Sequence, residues 1–343
     1  MKKAYFITTK NITYLRNVQE IDVLKKQGYC VDLLYSNGKN YLIRILEIYS
    51  KLFFKNVMEY EFIFVGFAPQ LILPLFFWKF RKKKIYIDFF ISIYDTLVND
   101  RKKVRKESFC SRLLHDLDRI TLEIADEVLA DTKTHKNYFV KEFGVSEEKF
   151  HVLYLQADTS IYRPMQIEKP VEWMNQFLVL YFGSILPLQG VDVIMDAVGK
   201  LSNEKRIHFF IIGPLNPALR KVKGDTVSYC SWLSQKELAE KIAMADLCLA
   251  GHFSASIEKA GRTIPGKAYI YKAMNKKVIF GDSPANRELF EENGYSNYYV
   301  PMGDSDALAK CILELFEISK KDQESKEVTN GFTNIDQCDC ACL

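Results

Sequence analysis

Three basic side chains lie close together in the second half of the chain. Lys259, Arg262 and Lys267 surround a loop and the start of a predicted helix whose first turn contains Pro265. Cations at a helix N-terminus oppose the helix dipole, so local stability does not favour them there. A bound polyanion such as a diphosphate would resolve that conflict. The alternative interpretation is a solvated basic surface loop, because isolated charge clusters usually face solvent.

A glycine-containing loop earlier in the chain is a second candidate for anion binding. The apolar run 177–182 predicts a buried strand that ends at Gly183, and a second buried strand, 207–212, ends at Gly213. Between them, Gly190 opens a segment with apolar residues at helical spacing. This order places free backbone N–H groups and the positive end of a helix dipole beside a strand's carboxyl end, which suits an anion. The same unit also occurs as plain structure with no ligand.

Polar residues follow a predicted strand, 84–90, in the first half of the chain. The candidates are Asp88, Ser92, Asp95, Asp100 and Arg101. Because they follow the carboxyl end of a strand, they can face a cleft at the edge of a sheet. The alternative is a polar loop that caps the next helix.

The sequence lacks the motifs of several common active sites. Neither half of the chain carries G-x-G-x-x-G after a first strand; the first turn is instead Thr8-Thr9-Lys10-Asn11. There is no Walker loop, no G-x-S-x-G elbow and no H-E-x-x-H. The histidines show no metal-ligand spacing, so we predict neither a metal nor a cofactor.

Composition limits the remaining classes of protein to which the chain could belong. The chain has 343 residues, 48% of them hydrophobic and 26% charged, which predicts large packed cores and two domains of ordinary size. A formal charge of +4 is too small to argue for a nucleic-acid partner. No segment approaches the ~20 apolar residues of a membrane span. Scattered cysteines in apolar patterns indicate reduced thiols, so we predict a cytoplasmic protein, with Cys338, Cys340 and Cys342 crowded at the C-terminus.

Strands alternate with helices along the whole chain, which predicts an α/β fold with two doubly wound parallel sheets. The alternation pauses at a charged segment with Pro164 and Pro170 and then restarts. We predict an N-terminal Rossmann-like domain over 1–160, a linker over 161–176, a second domain over 177–318 and a disordered tail over 319–343. Ligands of such a pair bind in the cleft between the sheets' carboxyl edges.

Four stretches resemble one enzyme family, the GT-B glycosyltransferases of family 4, and in particular a bacterial branch of it. FGSILPLQGVDVIMDAV (182–198) resembles the branch's FGTFIPLQGV, and KAGRTIPGK (259–267) resembles its K-A-x-R-x-I-P-x-K. DFFISIYDTLVNDR (88–101) resembles D-x-x-x-S-x-Y-D-T-x-x-x-D-R, and ADEVLADTKTHKNYF (125–139) resembles A-D-x-V-L-x-D-T-x-x-H. The similarity covers most of residues 1–318.

The resemblance implies a GT-B fold and transfer of a sugar from a nucleotide diphosphate sugar, with retention at the anomeric carbon and without a catalytic metal. The C-terminal domain would hold the donor. The N-terminal domain would hold a glycan or lipid-linked acceptor and face the membrane if the acceptor is lipid-linked. Synthesis of a cell-surface polysaccharide is the role that we predict.

Site residues are assigned from the matched motifs and from the strand ends. The predicted donor-binding residues are Gly183, Ser184, Gln189, Gly190, Gly213, Lys259, Arg262, Pro265 and Lys267. The predicted acceptor-binding residues are Thr9, Lys10, Asn11, Ser92, Asp100 and Arg101. The predicted catalytic residues are Asp88, Asp95 and Arg262.

The chain departs from the wider family at the donor site. The family's loop carries Arg and Lys on the diphosphate, where this chain has Ser184 and Gln189. The family also has two glutamates eight positions apart, where this chain has Arg262 and Ile270. The Lys259, Arg262 and Lys267 cluster would supply the missing positive charge.

Two alternative functions and one further hypothesis remain open from the sequence. A nucleotide-sugar epimerase can share the architecture, and the lost glutamates are also consistent with a degenerate partner subunit without activity. Attachment to the inner face of the membrane is a further hypothesis, because the apolar helix 70–80 adjoins the basic run Lys79 to Lys84. The alternative for that segment is a core helix followed by a solvated turn.

Overall fold

Alternating strands and helices form two parallel sheets of six strands each, in a computed structural model that describes residues 2–214 and 221–335. The strands are β1 Lys3–Ile7, β2 Cys30–Leu34, β3 Phe62–Val65, β4 Lys84–Asp88, β5 Glu127–Ala130, β6 Phe150–Val152, β7 Phe177–Phe182, β8 Ile207–Ile212, β9 Val227–Cys230, β10 Leu247–Gly251, β11 Val278–Gly281 and β12 Asn297–Val300. The helices are α1 Leu15–Lys26, α2 Tyr41–Phe54, α3 Leu73–Phe80, α4 Phe109–Ile124, α5 Lys133–Phe143, α6 Val191–Lys200, α7 Gln235–Met244, α8 Lys259–Arg262, α9 Gly266–Ala273, α10 Pro284–Leu289 and α11 Ser305–Ile335.

Strand order confirms the prediction of two doubly wound sheets. The first sheet has the order β2-β1-β3-β4-β5-β6, and the second has the order β12-β11-β10-β7-β8-β9. Apolar strands such as β3 and β8 are buried along their whole length, because helices cover both faces of a parallel sheet. In each sheet the order reverses beside the first strand of the unit, which opens a crevice at the carboxyl ends of the strands.

Two elements differ from the sequence prediction. Strand β9 was not predicted, because its residues are half-buried at the sheet edge and carry no apolar run. Helix α11 continues to Ile335, beyond residue 318, where the predicted second domain ends. In this extension Lys320 lies 3.6 Å from Glu324 one turn later. The cysteines at 338, 340 and 342 lie outside the described residues.

The carboxyl ends of β7 and β8 approach each other backbone to backbone. Gly183 N donates to the Ile212 carbonyl at 2.9 Å, and Gly213 has a φ of +148°, a conformation that L side chains rarely adopt. A Cβ atom added at Gly213 would overlap the Gly183 carbonyl oxygen. A Cβ atom at Gly190 would lie only 2.5 Å from the backbone of Phe253. Glycine at these positions therefore allows the loop after β7 to pack against its neighbours.

The close approach at Gly213 predicts a steric cost beyond backbone strain. We expect Gly213→Ala to lower the free energy of unfolding by ~2–4 kcal/mol, because the methyl group forces β7 and β8 apart at their ends. Gly28→Ala is the matched control, since Gly28 also has a positive φ of 87° but no atom within 4 Å of an added Cβ. Urea unfolding of both variants measures the difference. Equal losses in the two variants would contradict the role of the backbone contact.

Candidate functional site

The loop between β7 and α6, residues 183–190, is called the glycine loop here. Pro187–Gln189 form one short helical turn, and Gly190 turns the chain into α6 with a φ of 64°. The Gln189 carbonyl accepts a hydrogen bond from Phe253 N at 3.1 Å, which ties the loop to the segment after β10. The loop is therefore fixed at the carboxyl edge of the second sheet, beside the N-terminus of α6.

Lys267 extends from the first turn of α9 to this loop. Its ammonium group donates a hydrogen bond to the side-chain oxygen of Gln189 and lies 4.7 Å from the centre of the Tyr181 ring. A Cβ atom on Gly183 would lie 3.3 Å from the Lys267 Nζ. Only 6% of Lys267 is exposed, and burial lowers its pKa from 10.5 to about 7. Near pH 7 the amine is therefore about half protonated, and within the described residues no carboxylate pairs with its charged form.

His252 lies close enough to Lys267 for the lysine charge to affect its pKa. It is 3% exposed, and burial together with the Lys267 charge lowers its pKa to about 3. The imidazole is therefore neutral near pH 7, with Nδ1 3.4 Å from the Ala260 carbonyl oxygen. It adds no positive charge to that of Lys267.

Arg262 and Lys259 contact the first half of the chain instead. Arg262 Nη2 donates to Asp95 Oδ1 at 2.9 Å, and its guanidinium carbon lies 3.7 Å from the centre of the Tyr138 ring. Lys259 Nζ donates to Thr96 Oγ1 at 3.3 Å. The three cations of the predicted cluster therefore have different hydrogen-bond partners. Lys259 and Arg262 form the short helix α8, whereas Pro265 precedes α9 and only Lys267 lies in its first turn.

Asp95 begins a single turn of π-helix, Asp95–Asp100, and is fully buried. Besides Arg262, its Oδ1 accepts hydrogen bonds from Asn99 at 3.0 Å and from the Tyr138 hydroxyl at 3.3 Å. Burial alone would raise the pKa of Asp95, but the charges of Lys259 and Arg262 outweigh it and lower the pKa. Asp95 is therefore ionised, and its Oδ2 has no hydrogen-bond partner among the described residues.

Asp100 ends the same turn and is its second buried carboxylate. Burial raises the pKa of Asp100, and its Oδ1 also lacks a partner among the described residues. The next residue, Arg101, is exposed. The turn thus brings Asp95 and Asp100 to the contact between the two sheets, together with Arg262.

Asp88 is bound inside the first half of the chain. It is 1% exposed and accepts two hydrogen bonds from the Arg16 guanidinium, at 2.9 and 2.8 Å. Glu20 lies 3.5 Å from the same guanidinium, and burial together with the Asp88 charge raises the pKa of Glu20 well above its usual value. In the described parts of the chain, Asp88 shares no hydrogen-bond partner with Asp95 or Arg262. The structure therefore does not join these three predicted catalytic residues in one cluster.

The predicted acceptor residues separate into buried and accessible ones. Ser92 is buried and donates to Asp118 at 2.6 Å, and Thr9 is buried and donates to the Phe67 carbonyl at 2.9 Å. Lys10 is half-buried over the Phe67 ring at 5.1 Å, and Asn11 is exposed. Ser92 and Thr9 therefore hold their loops in place, while Lys10 and Asn11 remain accessible.

Sequence reasoning missed the residues that join the two halves. Glu288 of α10 accepts hydrogen bonds from Lys133 N at 2.7 Å, from Thr134 N at 2.6 Å and from the Tyr154 hydroxyl at 3.0 Å. Thr132 Oγ1 donates to the Arg262 carbonyl at 2.6 Å. Thr132 and Tyr138 lie in the 125–139 motif, which could have singled them out. No local pattern marks Glu288, because its partners are distant in the sequence.

No group of three or more His, Cys, Asp or Glu side chains within residues 2–214 and 221–335 is arranged to hold a metal ion. Ile270, at the position of a family glutamate, is half-buried against the apolar core of the second sheet. The polar groups at the glycine loop include the Lys267 ammonium, the side chains of Ser184 and Gln189, and the backbone N–H groups that do not already donate to a carbonyl, as those of Gly183, Leu186, Gln189 and Gly190 do.

Comparison with solved structures identifies the fold. Sucrose-phosphate synthase from Thermosynechococcus elongatus superposes with a TM-score of 0.65 at 13% identity, over 92% of this chain and 90% of that one. Anabaena Alr3699/HepE, solved in complex with UDP-glucose, superposes with a TM-score of 0.60 at 14% identity, over 94% of this chain and 91% of that one. The two sheets and their order are thus those of GT-B glycosyltransferases.

Sequence comparison points to the same class. The probable glycosyltransferase WbjE of Pseudomonas aeruginosa is 23% identical over 228 residues, which cover 63% of this chain and 56% of WbjE. The chain spans about half the length of the curated relatives it matches. A family model described as Glycosyl transferases group 1 matches residues 176–317, which include the glycine loop and Lys267. The whole chain therefore has the GT-B fold, and its residues 176–317 match the model of the glycosyl transferases group 1.

Proposed function

We propose that the protein is a family 4 glycosyltransferase that transfers a sugar, with retention, from a nucleotide diphosphate sugar to a glycan or lipid-linked acceptor. The role would be synthesis of a cell-surface polysaccharide at the cytoplasmic face of the membrane. The group 1 match over residues 176–317 and the UDP-glucose complex of the similar Anabaena protein support a nucleotide-sugar donor. The motif resemblance supports retention and the branch.

The observation that carries this proposal is the position of the Lys267 ammonium group. The resembling family binds the diphosphate with cations on its loop, whereas this loop has neutral Ser184 and Gln189. Lys267 reaches the Gln189 side chain from α9 and so brings a positive charge to the same place. A diphosphate there would give the buried cation its counter-ion and would be stabilised as the leaving group gains charge. No metal is needed for that role.

Arg262 is the second donor cation in this proposal. Its guanidinium can engage a phosphate in a fork, and Asp95 and the Tyr138 ring hold it at the contact between the sheets. A donor diphosphate would compete with Asp95 for this guanidinium. Asp95 would then act close to the reacting sugar, as the resemblance implies.

Nucleotide binding and nucleotide release together test the proposal against its alternatives. We expect one of uridine, guanosine or adenosine diphosphate to raise the melting temperature, and the matching nucleotide sugar to release nucleotide faster when acceptor is present. Conversion of the donor sugar without release would indicate an epimerase. Binding without either reaction would indicate a partner subunit, and no binding of any nucleotide would contradict the proposal.

An exposed apolar surface on α2 and α3 supports attachment to a membrane. Leu73 and Phe76 of α3 are buried in the core, so only one face of the predicted apolar helix is free. Exposed large apolar side chains lie on α2, on the turn after α2 and on α3. They are Leu42, Ile43, Leu46, Phe53, Phe54, Met58, Leu75, Phe77 and Trp78. The two helices are adjacent, because the Phe53 and Trp78 rings lie 6.4 Å apart.

Basic residues lie at one end of the same apolar surface. Lys55, Lys79, Arg81 and Lys82 line one small cavity between the end of α2 and the end of α3. We infer that this face binds an anionic bilayer surface, with the apolar side chains inserted and the cations at the phosphate groups. Within the described parts of the chain, no helix has both the length and the apolar character needed to cross a bilayer.

Because Lys267 is buried, we expect a variant without its charge to be more stable and to bind nucleotide more weakly. Burial lowers the Lys267 pKa from 10.5 to about 7, so between these values the folded protein binds fewer protons than the unfolded chain. Wild-type stability therefore rises with pH from about 7 to about 10.5 through this group. We expect Lys267→Met to raise the free energy of unfolding at pH 6 by on the order of 1 kcal/mol and to remove this rise.

The same variant should bind the nucleoside diphosphate at least tenfold more weakly. Lys272→Met is the matched control, because Lys272 is on the same helix but donates to Ser296 at 3.2 Å, away from the loop. Urea unfolding between pH 6 and 10 and calorimetric titration with nucleotide measure both effects. Tight nucleotide binding by Lys267→Met would remove this residue from the donor site.

Arg262→Ala should lower donor binding or turnover at least tenfold, because a charge-assisted bond contributes ~1.5–3 kcal/mol. Arg287→Ala is the control, since Arg287 is exposed and pairs with Asp282. Circular dichroism establishes that each variant is folded. Wild-type affinity and turnover in Arg262→Ala would assign this arginine a purely structural contact with Asp95.

Membrane attachment is measured by flotation with vesicles that contain anionic lipid. We expect wild-type protein to co-float, and a Leu46→Glu/Phe54→Glu variant to do so at least tenfold less, since each buried large apolar side chain contributes ~1.5–3 kcal/mol. Trp232→Glu is the control, because Trp232 is equally exposed but precedes α7 in the second half of the chain. Wild-type protein that stays at the bottom of the gradient rules out the attachment.

A further inference from the structure

A cavity of about 390 Å³ lies where the segment after the Asp95–Asp100 turn faces the second half of the chain. Its polar lining consists of Asn99, Lys102, Arg105, Lys106, Ser256 and Glu258. The cavity borders the contact between the two sheets, because the chain through its lining continues from Asp95.

Three cations line this cavity without a partner. The side chains of Lys102, Arg105 and Lys106 are exposed, and they make no hydrogen bond or ion pair with the described parts of the chain. Glu258 is the one carboxylate in the described lining, and its Oε2 lies 3.2 Å from Arg262 Nη1. A concave surface with three positive charges and one partly neutralised negative charge attracts anions.

The segment that carries these cations has a fixed backbone. Lys103 N and Val104 N both donate to the Leu97 carbonyl oxygen, at 2.8 and 3.1 Å. Lys102 and Glu107 have left-handed φ values of 49° and 65°. Non-glycine residues in this conformation need support from their surroundings, and such positions cluster at ligand-binding sites. A fixed segment between two such residues holds its cations at the cavity, which a freely solvated loop would not do.

The cavity shares no described lining residue with the glycine loop, although Glu258 in its lining contacts Arg262. Its described lining contains no residue of the glycine loop and does not include Lys267. Most of the lining belongs to the first half of the chain, and Ser256 and Glu258 alone come from the second half. A ligand in the cavity would thus contact mainly the first half of the chain.

We propose that this cavity binds a phosphate group of the acceptor substrate. The inference rests on the proposed glycosyltransferase function, which assigns the first half of the chain to the acceptor. Phosphate fits better than a carboxylate, because it can carry two charges, accepts the fork of Arg105 and leaves oxygens for two lysines. Both a lipid-linked diphosphate and a soluble phosphorylated sugar have this chemistry.

Inorganic pyrophosphate is the probe for the shared chemistry. It can also enter a donor diphosphate site, so its binding is titrated by calorimetry in the presence of saturating nucleoside diphosphate. We expect wild-type protein to bind pyrophosphate under these conditions and a Lys102→Ala/Arg105→Ala variant to bind it at least tenfold more weakly. The matched control is Lys25→Ala/Lys26→Ala, which removes the same charge from the exposed end of α1.

Three results would overturn the inference: no pyrophosphate binding once the nucleotide site is filled, equal affinity in wild type and the cavity variant, or an equal loss in the control variant. The proposed function is tested separately, by whether a nucleoside diphosphate binds the wild-type protein at all. If no nucleotide binds, pyrophosphate is titrated alone, and cavity-dependent binding then supports an anion site without a transferase. The two failures are therefore distinguishable.

A second titration separates the two sources of phosphate. A prenyl diphosphate in detergent micelles represents the lipid-linked acceptor, and a hexose 1-phosphate represents the soluble one. We expect the affinity of at least one to fall tenfold in the cavity variant and to stay unchanged in the control. If neither depends on Lys102 and Arg105, the cavity does not bind the acceptor phosphate.

Discussion

The ion pair between Arg262 and Asp95 is the contact on which the candidate site depends. Asp95 is fully buried and Arg262 is nearly so, and each would be costly to leave alone in this place. The Tyr138 ring covers the guanidinium, and the Tyr138 hydroxyl reaches the same carboxylate. This one pair joins residues 167 positions apart in sequence and fixes the Asp95–Asp100 turn against α8. The cleft and the cavity beside it are both bounded by that junction.

Polar contacts contribute to the junction, although Tyr154 and Leu155 of the first half also pack against the apolar core of the second sheet. Besides the ion pair, Lys259 donates a hydrogen bond to Thr96, and Thr132 donates one to the Arg262 carbonyl. Glu288 accepts a hydrogen bond from the backbone at the start of α5. Contacts of this kind exchange readily with water, unlike an apolar core cut in two. The proposed sugar transfer would need such a junction, because substrates would have to enter between the sheets before they close.

Local patterns in the sequence predicted most of the fold and part of the site. The apolar runs and glycines predicted β7, the glycine loop and α6, since each depends on neighbouring residues only. The same patterns could not assign Lys267 to the loop and Arg262 to Asp95, because both contacts join distant segments. Asp88 was predicted at the cleft from its place at the end of β4, but its partner Arg16 lies 72 residues away.

Glu288 makes the hydrogen bonding at the start of α5 depend on the contact between the two halves of the chain. Its carboxylate covers the first free amides of α5, those of Lys133 and Thr134, although it belongs to the other half of the chain. If the halves separate, these amides lose their acceptor and the positive end of the α5 dipole faces water. We therefore expect exchange of these amide hydrogens with solvent to become faster whenever the two halves separate.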